Sequence, residues 1–169
     1  VAEQPLRGAG LRFLSEPVVS PTFASQIQEV LAAFPQAKWH TYDAVNREQT
    51  YAGASLAFGA PVETSFRFDQ AKVVVVLDDD VFASGPGSVR YARDFANGRR
   101  VRKASAQMNR LYVAEPSPTP TGALADHRLP LRASRIEAVA RAIAAGVGAA
   151  GAAGSTGDAA VDKWVDAAV

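Results

Sequence analysis

The sequence predicts an α/β domain with a mostly parallel sheet, and three observations predict it. Apolar runs of strand length alternate along the chain with stretches of helical periodicity. The run "AKVVVVLDDD" (Ala71 to Asp80) holds four successive valines without alternation, as expected of a central strand covered on both faces. Turn signals such as "GPG" at 85–87 separate the runs from the helical stretches. A chain of 169 residues, 48% hydrophobic and 21% charged, has the material for one globular core.

"LRFLSEPVV" (Leu11 to Val19) opens the first strand–helix unit. Phe23, Ile27, Val30, Leu31 and Phe34 then fall on one helical face, and Pro35 stops that helix. "AKWHTYD" (Ala37 to Asp43) is the second strand, followed by a helix from Asn46 to about Phe58 that Gly59 ends. After the valine strand, a helix runs from about Ser88 to Ala96. "RLYVAEP" (Arg110 to Pro116) is the fourth strand and "HRLPLR" a short extended piece. Ser134 is placed to cap a helix bearing Ile136, Val139, Ala140, Ile143 and Val147 on one stripe. This order predicts a Rossmann-like, three-layer domain over residues 1–150. From "GVGAAGAAGSTGD" the composition turns to Gly and Ala, so 151–169 reads as a linker and the start of a truncated helix. Val161, Trp164, Val165 and Ala168 form the stripe of that helix, as in a piece of a longer protein.

Composition excludes several functions. The chain has no cysteine, so no disulfide, iron–sulfur ligation or thiol nucleophile is built from it. Two histidines make a zinc site improbable. A net charge of +1 supplies no global field for nucleic acid, and no run of apolar residues suggests direct membrane insertion.

Ligands of an open parallel sheet bind beyond the carboxyl ends of the strands, and four stretches are candidates. In "SEPVVSPT", Ser20 or Thr22 is placed to cap a helix, and without glycine the loop is unsuited to phosphate. Asp78, Asp79 and Asp80 could hold a divalent cation only if the chain turned at once, because alternation separates their side chains. "RDFANGRRVRK", with Arg90 and Arg110, is a basic stretch that suits a solvated helix end or contact with a neighbouring domain. The last is "YVAEPSPTPTGALADHRLPLRAS" (Tyr112 to Ser134), where Glu115 ends a strand and Asp126, His127 and Arg132 follow. A carboxylate at a strand end can bond a ribose hydroxyl or a guanine ring. One histidine beside polar residues makes no catalytic triad, and His127 reads as a surface or packing residue.

"RLYVAEPSPTPTGALADHRLPLRASRIEAVARAIA" resembles the cofactor-binding α/β domain of molybdopterin oxidoreductases of the dimethyl sulfoxide reductase type. The pattern there is an apolar strand, D-P-R, spaced threonines, A-D, L-P-I-R-P-G-T-D and an Ala/Leu-rich helix. Glu115-Pro116-Ser117 stands for D-P-R, Thr119 and Thr121 for the threonines, and Ala125-Asp126 for A-D. Leu129-Pro130-Leu131-Arg132 stands for L-P-I-R, and Ala133 to Ile136 for P-G-T-D. "DQAKVVVVLDDDVFASGPGSVRYARDF" is similar to the preceding unit, with three aspartates where active members have a G-x-N-P-like turn. "GPGSVRYARDF", "MNRLYVAEPSPTPTGALADHRLPLRAS" and "LAFG" (Leu56 to Gly59) bring the resemblance closest to the large iron–sulfur subunit of bacterial alternative complex III.

The resemblance implies an iron–sulfur electron-transfer subunit of a quinol-oxidising respiratory complex on the periplasmic side of the cytoplasmic membrane. Its expected partners are the iron–sulfur domain of the same parent chain and the other subunits, with iron–sulfur clusters in the parent and no cofactor in this part. The departures from the family pattern point the same way. Ser117 removes a cationic fork, and aspartates stand where a pyrophosphate would lie. Each like-charge contact at about 4 Å costs on the order of 4 kcal/mol at an effective dielectric near 20. Asp78, Asp80, Glu115, Thr119, Thr121, Asp126 and Arg132 are therefore expected to be vestigial cofactor positions. No catalytic residue or metal ligand is expected, and the chain reads as a structural and docking domain. The rival expectations are a working molybdopterin-guanine-dinucleotide domain and a small nucleotide-binding module.

Overall fold

A computed structural model describes residues 7–102, 107–149, 151–152 and 154–169. The architecture is α/β and Rossmann-like, with strands joined through helices into two all-parallel sheets. The chain divides into two compact units, Val1–Glu63 and Thr64–Val169.

Unit one holds β1 (Arg12–Ser15), α1 (Pro21–Ala33), β2 (Lys38–Thr41) and α2 (Glu48–Phe58). Ser20 caps α1 by accepting the Phe23 N–H at 3.3 Å, so the capping reading of "SEPVVSPT" holds. Gly59 closes α2 in the left-handed region at φ 75°, as its sequence position suggested. β1 and β2 pair in parallel from Arg12↔Lys38 to Ser15↔Thr41. The first strand is shorter than Leu11 to Val19, because Pro17 and the cap at Ser20 follow it closely.

Unit two holds β3 (Val73–Leu77), α3 (Ser88–Gly98), β4 (Arg110–Glu115), α4 (Pro120–Ala123), β5 (His127–Pro130), α5 (Ala133–Gly146) and α6 (Ala159–Ala168). Its strands run in the order β3-β4-β5, all parallel. Alternation along the strands sends two sets of side chains to opposite faces. Val74, Val76, Leu111 and Val113 pack with Phe68, Phe82 and Phe95, which puts α3 on that face. Leu77 and Leu129 join Val139, Ala142, Val161 and Val165, which puts α5 and α6 on the other. The result is three layers.

Two expectations need correction here. The central, doubly covered strand is β4, not the valine run: Leu111, Val113, Ala114 and Glu115 are all 0% exposed, whereas Val73 is 51% exposed. β3 ends the strand order and pairs on one side only, so an unbroken apolar run did not mark the centre. Ser134 does not cap α5, because the helix begins at Ala133 with Arg132 at the cap position and no side-chain cap bond. At 151–169, expected to be a linker and the start of a helix, the described residues include the ten-residue helix α6. Asp158 caps α6, and Thr156 donates to Asp162 at 2.6 Å and through its N–H at 2.7 Å. Val161 and Val165 are buried against α5, and Trp164 Nε1 donates to the His127 carbonyl at 3.2 Å. Burying that apolar stripe holds the helix in unit two.

Candidate functional site

The carboxyl edge of the unit-two sheet is formed by the residues after Leu77, Glu115 and Pro130. Two loops approach each other there. In the loop after β3, Asp78 sits at φ 52°, a left-handed conformation that Asp tolerates better than most side chains, and its N–H donates to the Ala114 carbonyl at 2.8 Å. Asp78 and Asp79 are exposed. Asp80 turns the other way, accepting from the Thr121 N–H at 3.0 Å and its hydroxyl at 2.6 Å. Thr121 is wholly buried, and its Oγ1 also accepts the Phe82 N–H at 3.1 Å. One threonine therefore fastens both loops together.

In the loop after β4, "PTGA" (Pro120–Ala123) forms the short helix α4. Thr119 at the cap and Pro120 at the first helical position were its legible signals. Glu115 is wholly buried and accepts from Arg128 Nε at 2.5 Å and from Thr119 Oγ1 at 2.7 Å. Burial pushes the Glu115 carboxyl up, but the hydrogen bonds from Arg128 and Thr119 outweigh it, and the group stays below the ordinary carboxylate range. Thr119 Oγ1 in turn accepts the Gly122 N–H at 3.0 Å. A Cβ at Gly122 would overlap Glu115 Oε1, so this glycine is needed for close approach. Glu115 thus faces inward, on partners of its own chain.

Asp126 and His127 do not join this site. Both lie at the start of β5, whose four residues climb about 3.3 Å each before the carboxyl edge is reached. Asp126 accepts from Arg99 through both carboxylate oxygens, at 3.0 and 2.6 Å, and from the Leu111 N–H at 2.8 Å. The Arg99 guanidinium holds its carboxyl below the ordinary range, against the opposing effect of burial. His127 is exposed and stacks on Tyr112 with ring centres 4.6 Å apart, a packing role as expected. Arg132 stands exposed at the carboxyl edge, at the head of α5.

The candidates therefore separate into three groups. Asp80 pairs with Thr121 and Glu115 with Thr119 in the loop after β4, Asp126 is a strut at the opposite edge, and Asp78 and Arg132 remain open to solvent. Among the described residues, no three His, Asp or Glu side chains group as metal ligands. An anion approaching the carboxyl edge would meet Asp78 and Asp79. An open, mostly apolar groove runs along β3, lined by Phe66, Phe68, Val73 and Val75, and reaches Asp79 at the carboxyl end of the strand. Sequence reasoning missed Arg128, Arg99 and Gly122. The parallel register sets Arg128 opposite Val113, two residues from Glu115, and that proximity becomes visible only once β5 is placed beside β4.

No family model matches this chain, and no curated protein matches it either.

Proposed function

We propose that this chain is a structural and docking domain that keeps the α/β form of a molybdopterin-oxidoreductase cofactor domain and works without the cofactor. In this reading it belongs to the iron–sulfur electron-transfer subunit of a quinol-oxidising respiratory complex, on the periplasmic side of the membrane. Its partners are the iron–sulfur domain of its parent and the neighbouring subunits. The observation that carries the reading is the state of Glu115. The strand-end carboxylate placed to meet a ribose or guanine is buried, ion-paired to Arg128 and bonded to Thr119, so it faces partners of its own chain and not the solvent side of the sheet edge. The departures at Ser117 and at Ala133 to Ile136 agree with it, and the exposed Asp78 and Asp79 add charge that repels a pyrophosphate. Among the described residues no helix is long and apolar enough to cross a membrane, which suits a domain held by partners.

Metal and pterin analysis of the purified parent protein tests this reading. Iron without stoichiometric molybdenum or pterin is the expected result. Molybdenum and pterin at one equivalent would overturn it and favour a working cofactor domain.

A further inference from the structure

The opposite, amino edge of the unit-two sheet carries a feature that the carboxyl edge lacks. α3 ends at Gly98, and the chain continues through Arg99, Arg100, Val101 and Arg102. The Asn109 N–H donates to the Gly98 carbonyl at 3.3 Å, and the Arg110 N–H to the Lys72 carbonyl at 2.8 Å. These bonds bring the end of α3 beside Lys72 and Arg110, and Arg100, Arg102, Arg110 and Lys72 are all exposed. None of them takes part in an ion pair among the described residues. The carboxylates nearby are already taken: Asp126 by Arg99, Asp69 by Arg67 and Asp94 by Arg93. The C-terminal dipole of α3 accounts for Arg99 and Arg100 at most, since its effect fades within a turn. Among the described residues, Arg102 and Lys72 form no ion pair, and Arg110 feels the charge of Asp126 only at a distance, since that carboxylate is bonded to Arg99.

We infer that this edge is a docking surface for an acidic protein face, with Arg100, Arg102 and Arg110 pairing with carboxylates around Val101. Val101 is 56% exposed between two arginines, an apolar point within a charged rim, as protein interfaces are built. Arginine forks match carboxylates in bidentate geometry. Single-stranded nucleic acid would call for exposed rings to stack bases, but Phe95, the aromatic ring beneath Arg99, is only 3% exposed. The far edge is of mixed charge, with exposed Asp78 and Asp79 beside exposed Arg132, so the amino edge is the more uniformly basic of the two and the better match for an acidic partner.

The inference rests on the docking reading but is tested apart from it, because cofactor content does not enter the measurement. Fluorescence anisotropy would follow a short labelled peptide of alternating Glu and Leu, and a single-stranded DNA of equal charge, at low salt and at about 0.15 M. The peptide should bind, and the triple variant Arg100→Gln/Arg102→Gln/Arg110→Gln should weaken it by about tenfold or more. Arg132→Gln, which removes a cation from the other edge, should change it less than about twofold. Amide shift mapping on the unaltered chain gives a second readout that needs no variant, with shifts expected at 99–102 and 110. An equal loss with Arg132→Gln, shifts spread over the surface, no peptide binding, or tighter binding of the DNA would each overturn the inference.

Discussion

The loops after β3 and β4 leave the same edge of the same sheet, and both carry acidic residues where a cofactor domain would receive its ligand. They differ in what those residues do. After β3, Asp78 and Asp79 point into solvent from a backbone that enters the left-handed region. After β4, Glu115 is buried, and Arg128, Thr119 and Gly122 close around it. Asp80 and Thr121 tie the first loop to the second. A carboxylate at a strand end is thus not one kind of feature: its meaning depends on whether a neighbouring strand supplies a cation. Here β5 supplies Arg128, and the group becomes part of the core.

That contrast can be broken by substitution. The largest effect is expected for Arg128→Ala, which strands the buried Glu115 and should cost about 3–5 kcal/mol in denaturant unfolding. A loss under about 1 kcal/mol would mean that the pair is solvated and the carboxylate available. Gly122→Ala comes next, forcing a methyl group into Glu115, with an expected loss of about 1–3 kcal/mol. An unchanged stability there would place α4 farther from the carboxylate.

Asp126→Asn should cost about 2 kcal/mol at neutral pH by weakening the bonds to Arg99 and Leu111. Because the folded Asp126 carboxyl titrates below its unfolded value, near about 4, its contribution is complete above that value. It is lost as the pH falls through the folded value, so the variant should show a shallower decline of stability in acid. Parallel acid profiles for the two proteins would contradict this. The smallest effect is expected for Asp78→Gly, where relief of the left-handed backbone is offset by a more flexible unfolded chain. Its stability should stay within about 0.5 kcal/mol of the parent. A large loss would show that the first loop is as tightly built as the second.

Much of this fold was legible in the sequence. Helical spacing, the Ser20 cap and Gly59 gave the α/β order, and the strand segments fell where expected. Strand order was not legible, because "VVVVL" is more apolar than "RLYVAE" and yet lies at the end of its sheet. A central strand can bury Arg-paired Glu115, so hydrophobicity and centrality part company here. The composition of the Gly/Ala stretch reads as linker, but at its end Ser155 and Thr156 are bonded to Asp162 in the first turn of α6. At the candidate site, the residue types were legible and their partners were not. Arg128 and Arg99 are distant in sequence from the carboxylates they hold: parallel pairing of β5 with β4 brings Arg128 to Glu115, and the end of α3 brings Arg99 to Asp126.

The central claim, that the inward-facing carboxylates leave no live cofactor site, is most directly tested by calorimetric titration of the chain with GDP and with molybdopterin guanine dinucleotide. The account predicts no binding tighter than about millimolar, roughly −4 kcal/mol. Micromolar affinity at one site per chain would contradict it.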